Sequence, residues 1–308
     1  MSSGTLYGNA IPAKTTKNAE KRFQHYAKRF GYDPDVCPVL STVPQKYGYG
    51  DFGILNVREA DSEGPPVSAS AAVPAGNSQP VFDPDKGLVL GTIRMGFGHC
   101  RMAIALASAA HSMGYTPYWL DLMSFPESAA SKTIKYLEDL YNLGSRISQR
   151  SKLFDRTVWD YVTSKAAQKL TLSVEDAALS QIFVPLYRDV PKDIPFFSTH
   201  PWTGHAAVAA GMTDVVTIIP DNYPIAFHVV EGSTHVVQSP SAYMGYRTFH
   251  SMGQGLFLDH TMPSNDIAMV GHYIDHEIVT GIEGDCDARL RRIRNGETRR
   301  FLMTMGGA

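Results

Sequence analysis

The stretch GLVLGTIRMGFGHCRMAIALASAAHSMGYTPYWLDL, residues 87–122, decides the fold. Residues 87–94 form a short apolar run bounded by turn residues, the pattern of a buried strand. The run breaks at Gly96, Phe97, Gly98 and His99 and passes into a long apolar segment of helical length, and a second strand follows at 116–121. Strand, helix and strand in this order predict a parallel unit with a crossover helix. The same alternation continues, with strands expected at 194–199, 214–219, 234–238, 266–271 and 300–305. The expected fold class is therefore α/β, a Rossmann-like parallel sheet with helices on both faces.

The chain has 308 residues, 44% hydrophobic and 19% charged, enough to bury a sizeable core in one large domain with appendages. Its formal net charge of -2 lacks the basic excess of nucleic-acid binders, so no nucleic-acid partner is expected. Cys37, Cys100 and Cys286 are far apart and form no CxxC pair, which argues against a disulfide framework and against a cysteine zinc site. The first 23 residues contain no apolar targeting run. The longest apolar run, 102–110, is interrupted by Ser108 and too short to span a bilayer. A cytoplasmic location is expected, with at most a peripheral membrane contact.

Three regions are expected along the chain. Residues 1–86 read as an N-terminal extension, with a short helix at 18–31 and a flexible linker at 62–80, where Ser, Ala, Pro and Gly dominate. Residues 87–280 read as the α/β domain. It carries a helical insertion at about 127–190, in which Ile134, Leu137, Leu140 and Tyr141 recur at helical spacing as a core stripe. Residues 281–308 read as an Arg-rich connector and the first strand of a further domain.

The turn at 96–99 has the character of an anion site, because free N–H groups and the helix dipole both favour negative charge there. A dinucleotide fingerprint competes with this reading, and Asp121 stands where its acidic residue belongs. Against it, Arg101 occupies the third glycine position, where close helix–strand packing needs glycine. His272 and His276 have a metal-ligand spacing but lack the intervening Glu of a zinc helix, and His272 falls at a strand end, so no metal is expected.

Glycines followed by a histidine at the first helical turn resemble the N-terminal domain of GT-B glycosyltransferases. The likeness is to the branch with the diacylglycerol glycosyltransferases and the lipid II-forming N-acetylglucosaminyltransferase. FFSTHP at 196–201, VVTIIPD at 215–221, HVVEGSTHVVQSP at 228–240 and IAMVGHYI at 267–274 match that family's motifs in order, although His272 and Tyr273 depart from the usual turn. The final MGGA resembles the opening glycine loop of the donor domain.

The resemblance implies the acceptor-binding half of an enzyme that moves a sugar from a nucleotide-sugar donor to a sugar or lipid acceptor, with no further cofactor. It implies His99 as general base, since a near-neutral imidazole suits deprotonation of an acceptor hydroxyl, with Asp221 as a second catalytic residue. Gly96, Gly98, Thr199, His200 and His228 are the implied acceptor contacts, and Gly306 and Gly307 the implied donor contacts. Two other classes stay open: a non-catalytic binding module on the same fold, and a sugar-nucleotide 2-epimerase-like enzyme.

Overall fold

The computed structural model describes residues 4–45, 52–60, 81–95, 97–161, 166–253 and 258–301. Its centre is an eight-stranded sheet. In chain order the chain first makes a two-stranded hairpin, β1 (Thr5–Leu6) and β2 (Asn9–Ala10), and helix α1 (Ala13–Phe30). Strands β3 (Leu40–Pro44) and β4 (Leu55–Glu59) follow, then β5 (Gly87–Thr92), α2 (Phe97–Ser112) and β6 (Thr116–Asp121). The insertion contains α3 (Ala129–Arg150), the single turn α4 (Lys152–Phe154), a π-helical turn at Asp155–Trp159, and α5 (Leu170–Leu179), which runs on into a tighter turn at Ser180–Tyr187. The remainder alternates: β7 (Phe196–Ser198), α6 (Pro201–Ala209), β8 (Val215–Ile218), β9 (Thr234–Val237), α7 (Pro240–Arg247), β10 (Ile267–Met269) and α8 (His276–Arg294).

The sheet order is β10-β9-β8-β7-β5-β6-β4-β3. Every pairing is parallel except that of β3 with β4. Alternation along the central strands splits the core between two faces. Val89, Tyr118 and Leu120 face the cluster built from α3, α6 and the 180–187 turn. Leu88, Leu90 and Trp119 face Ala103, Ile104 and Ala107 of α2. The α/β class with helices on both faces is thus observed. Six of the expected strands appear, shortened by up to three residues at the ends.

Three expectations need correction. The boundary at residue 86 cuts through the sheet, because β3 and β4 occupy its edge and α1 packs against α5. Composition hid them: each strand has only five residues and sits among Gly, Pro and aromatic residues. Helix α1 starts at Ala13, earlier than expected, and ends as expected where Gly31 takes the left-handed conformation, φ 68°. The stripe on α3 does not stay in the core. Ile134 is buried in the cluster on the sheet, but Leu140 and Tyr141, about two turns further on, are exposed.

The linker at 62–80 lies outside the described residues, as do Gly96, Gly306, Gly307 and most of the strand expected at 300–305. Of that strand, Arg300 and Phe301 are described; they have no regular structure, and Phe301 is exposed. Helix α8 runs across the boundary expected at 280/281.

Candidate functional site

Strand β5 has β6 on one side and β7 on the other, so the loops leaving β5 and β7 diverge at their carboxyl ends. Open parallel sheets form a ligand crevice at such a switch point. The loop after β5 delivers His99 in the first turn of α2, and the loop after β7 delivers Thr199 and His200. A Cβ placed on Gly98 would meet nothing within 4 Å, so there is open space at the start of the helix.

His99 is held by its Nδ1, 2.5 Å from the carbonyl oxygen of Thr199. A carbonyl can only accept, so Nδ1 carries the proton and Nε2 keeps its lone pair. Burial holds the imidazole below its ordinary pKa, partly opposed by the Thr199 carbonyl, so near neutral pH the ring is uncharged. His99 nevertheless remains partly exposed. Its anchor is rigid: the Thr199 N–H donates to the Gly91 carbonyl at 2.9 Å, and the Thr199 and Thr203 hydroxyls donate to the same oxygen at 3.2 Å.

From His99 a line of rings runs across the strand ends. Ring centroids are 4.9 Å apart for His99 and His200, 5.3 Å for His200 and Phe227, and 5.2 Å for Phe227 and His228. The line ends where His228 Nε2–H donates to Asp221 Oδ2 at 2.8 Å. That hydrogen bond comes first among the causes that hold the Asp221 carboxyl below the usual range, so it is a carboxylate at neutral pH. Asp221 is half-exposed, whereas His228 is buried, with Nδ1 lacking a hydrogen-bond partner among the described residues.

The structure therefore gathers His99, Thr199, His200, His228 and Asp221 on one edge of the sheet, but in different roles. His99 and Asp221 reach solvent. Thr199 and His200 are buried with their side chains engaged: the Thr199 hydroxyl on Gly91, and His200 Nδ1 accepting the Trp202 N–H as the N-cap of α6. Thr199 and His200 thus support His99, and neither presents a free, exposed side chain to an acceptor. Burial also pushes His200 well below the ordinary histidine range.

The residues that suggested a dinucleotide are otherwise occupied. Asp121 is buried and pairs with Arg94 at 2.5 Å, while Arg101 reaches away to Asp275 at the foot of α8. Among the described residues no group of three or more His, Cys, Asp or Glu side chains is placed to hold a metal, and no helix is long and apolar enough to cross a membrane.

Residue-by-residue reading of the sequence missed two features. Phe227 fills the gap between His200 and His228. Gln238, the first residue past β9, ties two neighbouring strand-end loops together. Its place immediately after a parallel strand was the available signal. Beside Asp221, a cavity of about 580 Å³ opens between the 222–224 turn and α7, lined by Asn222, Tyr223, Pro224, Met244, Thr248 and His250. Phe249 and Ser251, on either side of His250, have positive φ of 50° and 64°, which is uncommon for residues other than glycine.

Against known families, residues 262–308 match a second family model, DUF6938, a domain of unknown function. The break between the two matched regions falls ahead of β10. No curated protein and no solved structure matches the chain. Residues 5–248 match the model of DUF6937, likewise a domain of unknown function, and the chain belongs to that family.

Proposed function

We propose that this chain is the acceptor-binding part of a cytoplasmic, nucleotide-sugar-dependent glycosyltransferase, with His99 as general base. The observation that carries the reading is the His99–Thr199 hydrogen bond. It fixes the tautomer, with the proton on Nδ1 and Nε2 turned to other partners, on an imidazole that burial keeps neutral at the ligand edge of a parallel sheet, the state a base needs before it takes a proton from an acceptor hydroxyl. As the hydroxyl oxygen attacks the anomeric carbon, its proton passes to Nε2, and the bond from that carbon to the nucleotide diphosphate breaks. The Asp221 carboxylate lies at the same edge and favours the imidazolium that forms.

In this reading α8 is the connector to a donor-binding domain, and its exposed apolar side is the face that such a domain covers. The glycines Gly306 and Gly307 are the donor contacts of the proposal. No further cofactor is needed.

The test is transfer from a panel of nucleotide sugars by a protein containing this chain and a donor domain. His99→Ala is expected to lower kcat by roughly 10²- to 10⁴-fold with donor affinity nearly unchanged. Near-wild-type turnover would remove the base assignment, and absence of transfer by the unmodified protein with every donor would remove the reading.

A further inference from the structure

The outer half of the same strand edge has polar equipment that the transfer step does not use. Gln238 Nε2 donates to the carbonyls of Ile219 and Pro220, at 3.4 and 2.7 Å. Both partners accept, so the amide orientation is fixed and Oε1 must be the atom that meets His272 Nδ1 at 2.6 Å. His272 therefore donates from Nδ1, so that its neutral form has the lone pair on Nε2, and its ring is exposed. One strand away, Ser239 donates its hydroxyl to Asn222 Oδ1 at 2.9 Å, which leaves the Asn222 NH₂ group as donor. Asp221 comes next, its Oδ2 occupied by His228.

The carboxyl ends of β8, β9 and β10 thus present a carboxylate acceptor, an amide donor and an imidazole acceptor. Asn222 also lines the cavity, whose other walls include the exposed ring of Tyr223 and the side chains of Pro224 and Met244. Hydroxyl recognition thus lies next to an apolar wall. A hydroxyl both donates and accepts, and a pyranose carries hydroxyls around its rim and C–H groups on its faces. A purely apolar ligand would leave the polar row unpaired, at a cost.

We propose that the ends of β8, β9 and β10 form a saccharide-binding rim, with Asp221, Asn222 and His272 on the hydroxyls and Gln238 positioning His272. The acceptor of the transfer step is then itself a sugar. That last statement rests on the transfer reading; the binding does not.

The experiment follows the imidazole nitrogens of the full chain by heteronuclear NMR, with added methyl glycosides of glucose, galactose, mannose and N-acetylglucosamine, and methyl octanoate, an octanoyl ester without hydroxyls, as the apolar probe. Without ligand, at an alkaline pH where imidazoles are neutral, His272 should show a protonated Nδ1 and a bare Nε2, a signature lost in Gln238→Ala. At least one glycoside should shift His272 Nε2 and bind about tenfold more weakly to Gln238→Ala and to Asn222→Ala, as loss of one hydrogen bond implies.

No response to any of the four glycosides overturns the rim, as does unchanged affinity in both variants, or a response to the octanoyl probe alone. Glycoside binding without transfer in the full-length enzyme would sink the transfer reading and leave the rim standing. Transfer to a lipid with no glycoside binding would do the reverse.

Discussion

The centre of the sheet and helix α8 carry similar apolar patterns and meet opposite fates. Around β5 and β7, apolar side chains on both faces are sealed in two clusters, and Val89, Leu90, Phe183 and Phe196 are fully buried. On α8, residues 278, 279, 282, 290 and 293 share one side of the helix at spacings of three, four and eight, yet no residue of α8 is buried. The helix is attached mainly by its first turn: Ser108 of α2 accepts from the His276 N–H at 2.8 Å and donates to Glu277, and Arg101 pairs with Asp275. An apolar stripe alone does not make a core helix; something must cover it. The contrast predicts that stability belongs to the sheet and not to α8.

The largest effect should come from pH. His205 and His235 are buried in the sheet region and titrate at about 3 and about 4, because burial disfavours the imidazolium. An unfolded histidine titrates near 6.5. Above about pH 6.5 both states are neutral. As the pH falls, the unfolded chain takes up protons first, and stability is lost progressively towards those lower values. By pH 5 the two groups together cost on the order of 4 kcal/mol. Asp176, raised to about 6 mainly by burial, works in the other direction and offsets on the order of 1 kcal/mol. Urea unfolding at pH 7.5 and pH 5 should show a loss of about 3 kcal/mol from these three groups, and buried His200, held well below the ordinary range, adds to it in the same direction; equal midpoints would mean that these imidazoles are not buried.

Within the sheet, two substitutions sharpen the same point. Phe183→Ala empties a fully buried site beside Trp202 and should cost about 3–5 kcal/mol. Gly91→Ala adds a Cβ 2.3 Å from Phe196 Cζ and should cost about 1–3 kcal/mol through overpacking. It should also disturb His99, because Gly91 supplies the carbonyl that anchors Thr199. Chemical denaturation gives the energies. The His99 tautomer by NMR gives the second effect, and an unmoved His99 signal would disconnect the strand from the site.

These differences bear on what the sequence could reveal. Strands such as 116–121 were legible to the residue because a buried parallel strand is a continuous apolar run between turn residues. Strands β3 and β4 were not, because each buries a single position, Leu40 in the edge strand and Val57 in its neighbour. In the site, the position of His99 was legible because strand, glycine turn and helix place it at the start of α2, while its role as base is implied by the resemblance alone. The support given by Thr199 was not, since it comes from a backbone carbonyl, which has no residue signature. Gln238 acts only through carbonyls and an imidazole brought together from the loops after β8 and β10, and no spacing in the chain encodes that meeting.

The smallest expected effect tests the comparison most directly. Ile134 on α3 and Ile282 on α8 are both isoleucines within long helices, and periodicity places both on apolar faces. Ile134 is fully buried against the sheet, so Ile134→Ala should cost about 2–5 kcal/mol. Ile282 is half-exposed, and Ile282→Asp leaves the new carboxylate in water. Its cost should stay within about 0.5 kcal/mol, the range of surface changes that break no packing or hydrogen bond. Thermal unfolding of the two variants beside the wild type measures both. If Ile282→Asp proved as damaging as Ile134→Ala, α8 would belong to the cooperative unit of the sheet and the distinction between the two regions would fall. A near-silent Ile282→Asp would place the contribution of α8 outside the stability of the sheet.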